Sequence, residues 1–313
     1  MATPADTVST FDAIGNREDL SNIIYDISPT QTPFISGIAH TNATTTNHEW
    51  QTDTLAPAAN NAVIEGEDAT TTATIPTVRL GNRSQISDKV PRVTRTQRDI
   101  DSAGRGDELD YQIMKMAKEL KRDMEFALLS NKAKVTGSTS LAAELAGVPA
   151  WLVTNTNFGS GGADPTGDGT DARSPGTQRA FAEADLKDVL SAAWDEGGEP
   201  DLIMLGSFNK QAMSSFTGNA TRTVDASDKR LTAAIDVYVS DFGELAVIPN
   251  RFMRPRDALV LQMDMWALAS IAEFQETPLA KTGDSDRVQL LSEYTLESRN
   301  EAASGGIFDL TTS

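Results

Sequence analysis

The residues with the most chemical potential are two serines and two lysines in three short motifs. Ser207 and Lys210 have the spacing of a serine nucleophile and its base in an enzyme that forms an acyl intermediate. A Ser-Asp pair begins at Ser240, and a Lys-Thr-Gly sequence begins at Lys281. The middle motif lacks its asparagine, and the motifs follow one another too closely for the helical domain that such enzymes insert. A serine acyl-enzyme is therefore a remote alternative, and a helix cap is the better account of Ser207.

Metal and cofactor chemistry has little support. His40 and His48 lie in a Thr-rich stretch rather than on a scaffold that could hold a zinc ion or a catalytic triad. Three aspartates within 164–171 are spaced like the start of a calcium loop, but Pro175 stands where that loop needs a bidentate glutamate. The chain has no cysteine, no P-loop and no dinucleotide-binding fingerprint. We expect no catalytic residue, no metal, no cofactor and no enzymatic activity.

The composition favours a soluble, intracellularly made protein with a real hydrophobic core. The chain has 313 residues, of which 39% are hydrophobic, and no segment has the pattern of a membrane span or a secretory signal. The formal net charge is -18, and a field of that sign opposes tight binding of nucleic acid. We therefore expect no membrane partner and only non-specific contact with DNA.

A basic stripe interrupts this acidic chain. Residues 79–105 carry seven basic side chains against three acidic ones. The favoured interpretation is a solvated strand face with scattered counter-ions, and the alternative is a surface that meets acidic groups on another copy of the chain. A cluster of arginines at 251–256 is likewise expected to face an acidic neighbour. The stripe consists of Arg79, Arg83, Lys89, Arg92, Arg95, Arg98 and Arg105.

The first hundred residues predict an arm and a hairpin that have no core of their own. Residues 1–47 are typical of an extended arm with a short helix over 19–27, and Pro33 and the Thr/Asn-rich run after it discourage further regular structure. Residues 48–100 predict two long polar strands around a flexible tip at 56–72. Because such a hairpin is only marginally stable alone, we expect it to lie against a partner.

Residues 106–134 carry the strongest secondary-structure signal. Apolar residues recur at three- and four-residue steps, and acidic residues fill the first turn, where the helix dipole favours anions. The spacing predicts one helix about 40 Å long that packs on a sheet, with Gly137 as its stop. The apolar face consists of Leu109, Ile113, Met116, Leu120, Met124, Ala127 and Leu128.

The remaining residues predict an α+β unit. An exposed Gly-rich loop spans 159–176, and a helix with one apolar face spans 183–196. The apolar run at 201–206 is typical of a strand in the middle of a sheet. Residues 235–249 predict a hairpin, and alternating apolar residues within 258–296 predict further strands.

The order of these elements is specific. An arm, a long polar hairpin, one long helix and an α+β unit with a final returning sheet together resemble the major capsid protein of tailed bacteriophages, which has the Hong Kong 97-type fold. Three local sequences are similar to segments that recur in this order in a subgroup of phage major head proteins. They are NREDLSNIIYDISPTQTPF (16–34), HEWQTDTL (48–55) and RLGNRSQISDK (79–89). The resemblance covers nearly the whole chain.

The resemblance implies an α+β fold of four parts. These are an N-terminal arm (1–47), an extended E-loop (48–100), a peripheral or P-domain (101–182) with its spine helix (106–134), and an axial or A-domain (183–250). Residues 251–313 would supply the rest of the A-domain and the returning strands of the P-domain.

The resemblance also implies a structural function. The chain would assemble with itself through pentamers and hexamers into the icosahedral head that encloses the double-stranded DNA genome of a tailed phage. It would be assembled in the cytoplasm of the bacterial host and end in the capsid of the virion. Implied partners are a separate scaffold protein, a portal and decoration proteins. The alternative is the shell protein of an encapsulin nanocompartment, which shares the fold.

We expect the residues that contact neighbouring subunits in the hairpin. Its polar strands and acidic tip leave it without a core on its own subunit. The predicted contact residues are Trp50 on the first strand, Glu65, Glu67 and Asp68 at the tip, and Arg79, Arg83 and Arg92 at the base.

Overall fold

The computed structural model describes residues 31–69, 71–100, 106–216 and 237–312. Five helices and thirteen strands lie within these ranges. The helices are α1 (Pro33–Gly37), α2 (Arg95–Asp99), α3 (Glu108–Leu129), α4 (Glu183–Asp195) and α5 (Ser207–Ser214). The strands are β1 (Ala39–Asn42), β2 (Asn47–Thr52), β3 (Val78–Arg83), β4 (Gln85–Lys89), β5 (Arg92–Thr94), β6 (Asn155–Asn157), β7 (Leu202–Leu205), β8 (Val237–Ser240), β9 (Gly243–Pro249), β10 (Ala258–Leu261), β11 (Trp266–Leu279), β12 (Ser285–Ser298) and β13 (Gly305–Ile307).

The first sheet is built on the long antiparallel pair β11–β12. Its strand order is β1-β11-β12-β4, with β1 parallel to β11, and β5 pairs with the start of β12. The alternation along β12 buries Val288, Leu290, Tyr294 and Leu296, as the sequence predicts. The sheet therefore joins a segment near residue 40 to segments beyond residue 266.

The long helix α3 lies across this sheet, on β4 and β12. It begins at Glu108, after Asp107, whose carboxylate accepts the backbone N–H of Leu109 at 2.8 Å. At 22 residues it is about 33 Å long, and it ends at Leu129 rather than near Gly137. Asn131 exchanges hydrogen bonds with the backbone of Arg173, which draws the chain away from the helix axis.

The second sheet has the order β6-β13-β10-β7-β9-β8, with β7 in its interior as predicted. One face packs on three of the four α4 residues that the helical spacing predicts, and the fourth, Ala193, is also buried. The opposite face packs into a cluster with α1, the end of α3 and part of the first sheet. The α4 residues are Leu186, Val189, Leu190 and Ala193, all buried.

The hairpin β2–β3 is a separate two-stranded ribbon, and its base contacts β12 of the first sheet, where the Asn82 amide donates to the Leu296 carbonyl at 2.9 Å. Its strands pair from Asn47 with Arg83 to Thr52 with Val78, so they are shorter than predicted. The connecting residues 53–69 and 71–77 form no strand in the described structure and are exposed along their whole length. The segments β4 and β5, predicted as part of the hairpin, pair with β12 instead, because that pairing completes a buried sheet.

Two loop predictions are corrected by contacts with distant residues. Pro33 begins α1 rather than preventing a helix, because its missing N–H is no loss at a first helical position. In the Gly-rich loop 159–176, Pro165, Gly169 and Arg173 are buried, so the loop is only partly exposed. The helix predicted at 19–27 lies outside the described residues.

Candidate functional site

The residues of the acyl-enzyme hypothesis lie in separate parts of the fold. Ser207 is the first residue of α5, and the Lys210 ammonium donates to a backbone carbonyl of β9 at 2.8 Å. The Ser240 hydroxyl donates to a carbonyl in its own hairpin turn, whereas Lys281 lies beyond the end of β11 and pairs with Asp286 at 2.5 Å. These contacts leave the three motifs without a common site. The helix-cap prediction for Ser207 is also wrong, because Gly206 occupies the cap position.

The aspartates of the Gly-rich loop serve internal contacts. Asp164 pairs with the Arg173 guanidinium at 2.6 Å, and Asp168 and Asp171 accept hydrogen bonds from Thr166. Within the described ranges, no group of three or more His, Cys, Asp or Glu side chains is arranged to hold a metal ion. None of the helices in the described part of the chain has the length and apolar character needed to cross a membrane.

The hairpin tip combines exposed acidic and exposed apolar side chains. Glu65, Glu67 and Asp68 all face solvent, around a turn in which Gly66 has a φ of 87° that favours glycine. The apolar side chains beside them have no cover within the described chain. Leu55 is 97% exposed, Val63 and Ile64 are 78% exposed, and Ile75 is 70% exposed. We call these seven exposed side chains the hairpin tip.

The base of the hairpin is held by its own subunit. Trp50 is half-buried against Trp151, with ring centroids 5.3 Å apart, and its indole N–H finds no acceptor among the described residues. The Arg79 guanidinium pairs with Glu49 across the two strands at 3.1 Å. Arg83, at the end of β3, has a half-buried side chain. The structure thus places Trp50 against the core and leaves Arg79 at the surface.

Arg92 lies apart from the other predicted contact residues. It belongs to β5 in the first sheet, and its Nε donates to the Ser285 hydroxyl at 2.9 Å. The acids of the tip lie more than 20 residues from Arg92 in sequence and on a different element. Contact of each of these residues with a neighbouring subunit stays a prediction.

Most described members of the basic stripe have counter-ions within the chain, which is the favoured interpretation of the sequence. Lys89 pairs with Asp123 at 2.7 Å. Arg98 forms a forked contact with Asp107 and lies 2.7 Å from Asp286. The pKa of Asp107 is lowered, chiefly by its hydrogen bond from Arg98, and that of Asp286 is lowered by hydrogen bonds from Lys281 and Arg98.

The sequence did not single out Glu125, a fully buried carboxylate on α3. Its Oε1 accepts the backbone N–H of Phe34 at 2.8 Å and the amide of Asn250 at 2.7 Å, and its Oε2 accepts the backbone N–H of Ile35 at 2.9 Å. Burial raises the pKa of Glu125, although these three hydrogen bonds act in the opposite direction. The sequence signal that could have identified Glu125 is its position four residues before Leu129, which places it on the apolar side of α3.

A second buried cluster of charges lies where the Gly-rich loop meets the end of the second sheet. Arg256 pairs with Asp309 at 2.7 Å, and Arg254 lies 3.3 Å from Asp257. The Arg173 guanidinium stacks on the Phe308 ring, 3.7 Å from its centroid. The arginines expected to face an acidic neighbour are therefore partly used inside the chain.

Comparisons with known proteins agree with this architecture. A sequence model of the family described as SU10 major capsid protein matches residues 6–311. The chain belongs to this family. A curated relative, the major capsid protein of Escherichia phage Phieco32, is 30% identical, and the alignment covers 98% of each chain.

Solved structures show that this capsid protein shares its fold with phage capsids. The capsid chain of cyanophage A-1(L) has a TM-score of 0.67 at 14% identity, with 97% of this chain and 98% of that chain covered. The capsid chain of a native GTA particle has a TM-score of 0.61 at 13% identity, with 96% and 98% covered.

The expected Hong Kong 97-type α+β fold is thereby confirmed for the chain as a whole, and the function is that of a major capsid protein of a tailed phage. The encapsulin alternative is not favoured, because the matched family and its relatives are phage capsid proteins. The boundaries of the arm, the E-loop, the P-domain and the A-domain stay predictions.

Proposed function

We propose that this chain assembles through pentamers and hexamers into an icosahedral head that encloses the double-stranded DNA genome. Assembly takes place in the cytoplasm of the bacterial host. A separate scaffold protein, a portal and decoration proteins are its further partners, and its contact with packaged DNA is non-specific. Its role is structural and involves no catalysis.

The observation that carries this proposal is the hairpin tip. Four large apolar side chains that are 70% exposed or more lie on one loop, beside three exposed acids. Exposed apolar side chains that are clustered in this way mark interaction surfaces. A two-stranded ribbon that projects from a folded body is also marginally stable in isolation. Contact with a neighbouring subunit would bury the apolar groups and support the ribbon.

The exposed face of α3 has a composition that complements the tip. Met114 is 60% exposed and Phe126 is 57% exposed, and the exposed bases Lys118 and Lys121 lie between them. Met114, Lys118 and Lys121 are three or four residues apart and share one side of the helix, and Phe126 lies about a third of a turn from Met114. We call these four residues the α3 outer face. Exposed bases flanked by apolar groups suit a tip in which exposed acids are flanked by apolar groups, so the tip of one subunit is proposed to lie on the α3 outer face of another.

Repeated contacts of this kind are sufficient for a shell. Each subunit gives one hairpin tip and receives another, and further contacts in a closed assembly form at high effective concentration. No single contact has to be strong. The seven predicted contact residues contribute within this scheme, with the three acids at the tip and Arg79 and Arg83 at its base.

The test compares the full chain with a variant that lacks the tip. Thr52 pairs directly with Val78, so residues 53–77 can be replaced by a two-residue Asn-Gly turn that closes the hairpin. Negative-stain electron microscopy and sedimentation of the full chain should show closed shells, tubes or rings of five or six subunits. The shortened variant should remain folded and unassembled.

Two results would contradict the proposal. A full chain that stays monomeric, even with the products of its neighbouring genes, would overturn the assembly function. Normal shells from the shortened variant would overturn the role of the hairpin tip while leaving assembly itself intact.

A further inference from the structure

Glu125 connects three parts of the fold that are distant in sequence. Its carboxylate, on α3, accepts hydrogen bonds from Phe34 and Ile35 of α1 and from Asn250 at the end of β9. The three donors come from segments 90 or more residues away, and the side chain is fully buried. A buried carboxylate is costly unless donors surround it, so this site is built around the ionised side chain.

The segment that Glu125 holds has no local replacement for it. The backbone N–H groups in the first turn of a helix have no partner within that helix. Thr32 precedes α1 and makes no side-chain cap hydrogen bond within the described part of the chain. The distant carboxylate of Glu125 therefore supplies the acceptors that a capping side chain usually supplies.

The surroundings of Glu125 on α3 are otherwise apolar. Leu128 and Leu129 follow it within one helical turn, and both belong to the cluster that also contains Phe34. A leucine in place of Glu125 would extend that cluster and avoid the desolvation cost of a charge, but it would leave two backbone N–H groups of α1 and the Asn250 amide without this acceptor. The carboxylate also fixes the orientation of the α1 backbone, because its two oxygens accept two successive backbone N–H groups of that helix.

The chain after this contact is fixed as well. Ile38 is buried, and β1 then pairs with β11 from Ala39 onward. Residues 33–42 are therefore held by α3 at one end and by the first sheet at the other. The contact with Glu125 is the first point at which the described chain is anchored by side-chain chemistry.

We propose that Glu125 is a positioning residue for assembly, which sets the place and direction in which the N-terminal segment enters the body of the subunit. In a shell, a segment that meets neighbours has to leave every subunit in the same direction. Only the consequence for assembly rests on the proposed function. The contact itself is a property of the single chain and is tested there first.

The test is hydrogen exchange of the unassembled full chain, with Glu125→Gln compared with Glu119→Gln. Glu119 is a half-buried residue of the same helix and lies outside the contact, so it is a matched control. The glutamine at 125 keeps one acceptor and turns an amide donor toward a backbone N–H. Exchange at Phe34 and Ile35 should become about tenfold faster or more, with β7 and β10 unchanged. The control should leave all of these rates unchanged.

Asn250→Ala provides a second variant that keeps both backbone contacts. It removes one donor, so exchange at Phe34 and Ile35 should fall between the wild-type and the Glu125→Gln rates. If Glu125→Gln does not fold, Asn250→Ala decides the question: faster local exchange supports the proposal, and unchanged exchange overturns it. Equal acceleration across β7 and β10 would also overturn it, since that result indicates a general structural role.

Electron microscopy of the same variants tests the consequence in assembly. Glu125→Gln should give open or irregular particles where Glu119→Gln gives regular ones. Regular particles from a Glu125→Gln protein with fast local exchange would refute the positioning role and leave the proposed assembly function standing.

Discussion

Asp257 is a buried carboxylate whose two oxygens find no well-aligned hydrogen-bond donor among the described residues. Arg254 lies 3.3 Å away but is poorly aligned with it. Burial raises the pKa of Asp257 from 3.8 to about 6, and Arg254 acts in the opposite direction. The folded protein thus holds this proton more tightly than the unfolded chain does. The stabilisation of the folded state that comes from this raised pKa of Asp257 is complete below about pH 4 and is lost as the pH rises through about 6.

Asp257→Asn should remove this pH dependence. The neutral amide has nearly the same shape and does not titrate, so the difference in free energy of unfolding between the two proteins should change by about 2 kcal/mol between pH 4 and pH 7. The variant should gain relative stability as the pH rises. Urea unfolding across this range measures the difference, and parallel curves for the two proteins would contradict the assignment.

Gly147 is required by the close approach of two backbones. A Cβ atom there would lie 2.0 Å from the carbonyl oxygen of Ser130 and 3.0 Å from that of Leu128. Because both obstacles are backbone, Gly147→Ala should lower the free energy of unfolding by about 3 kcal/mol. Gly106→Ala is the matched control, since a Cβ at Gly106 meets nothing within 4 Å of the described chain. Thermal unfolding checks both, and equal stabilities would refute the steric argument.

At the level of single residues, the site could be predicted only in part. The acids of the hairpin tip were predicted to lie on a flexible tip without a core of its own, and they are exposed. Glu125 and Asp257 were not singled out, because their burial depends on segments more than 40 residues away. Trp50 was expected at a subunit interface, yet it packs against Trp151 of the same chain, with ring centroids 5.3 Å apart. Local patterns do not report such long-range contacts.

The end of α3 is the element on which the largest cluster depends. Leu128 is fully buried there beside α1 and the second sheet. Leu128→Ala should lower the free energy of unfolding by about 2–5 kcal/mol, because it leaves a cavity in a packed region. Met114→Ala on the exposed face of the same helix should change it by less than about 0.5 kcal/mol. Denaturant unfolding compares them, and similar losses would show that the two faces were assigned wrongly.

Among the elements, those with strong periodicity were predicted well. In α3, α4 and β7, the spacing of the apolar residues in the sequence indicates by itself which side chains are buried. The errors fell on short elements whose existence depends on a partner. Both β4 and β5 need β12, nearly 200 residues later, and α1 needs the carboxylate of α3. The sequences of these short elements are polar or interrupted by proline, so their intrinsic secondary-structure propensities predicted other structures.

For the whole molecule, charge reversal at the base of the hairpin should affect assembly more than folding. Arg79→Glu with Arg83→Glu would replace two positive charges by two negative ones on the hairpin that carries the acidic tip, so neighbouring subunits should repel each other. Lys187→Glu with Arg299→Glu changes the net charge equally at two exposed positions outside the basic stripe. The first pair should reduce the yield of shells at least about tenfold, with little change in the unfolding midpoint. Normal shells from the first pair, or equal losses from both, would refute the special role of Arg79 and Arg83.

The place of β13 has a consequence for the order of events during protein synthesis. This strand lies inside the second sheet, between β6 and β10, and the first sheet likewise needs β12 between β11 and β4. Neither sheet can close while residues 285–307 are still within the ribosome. Residues emerge at roughly 5–20 per second, so a nascent chain spends roughly 10–45 seconds with its hairpin exposed and no body to support it. Chains on one polysome therefore present no formed surface to one another, and productive encounters between subunits begin only after release.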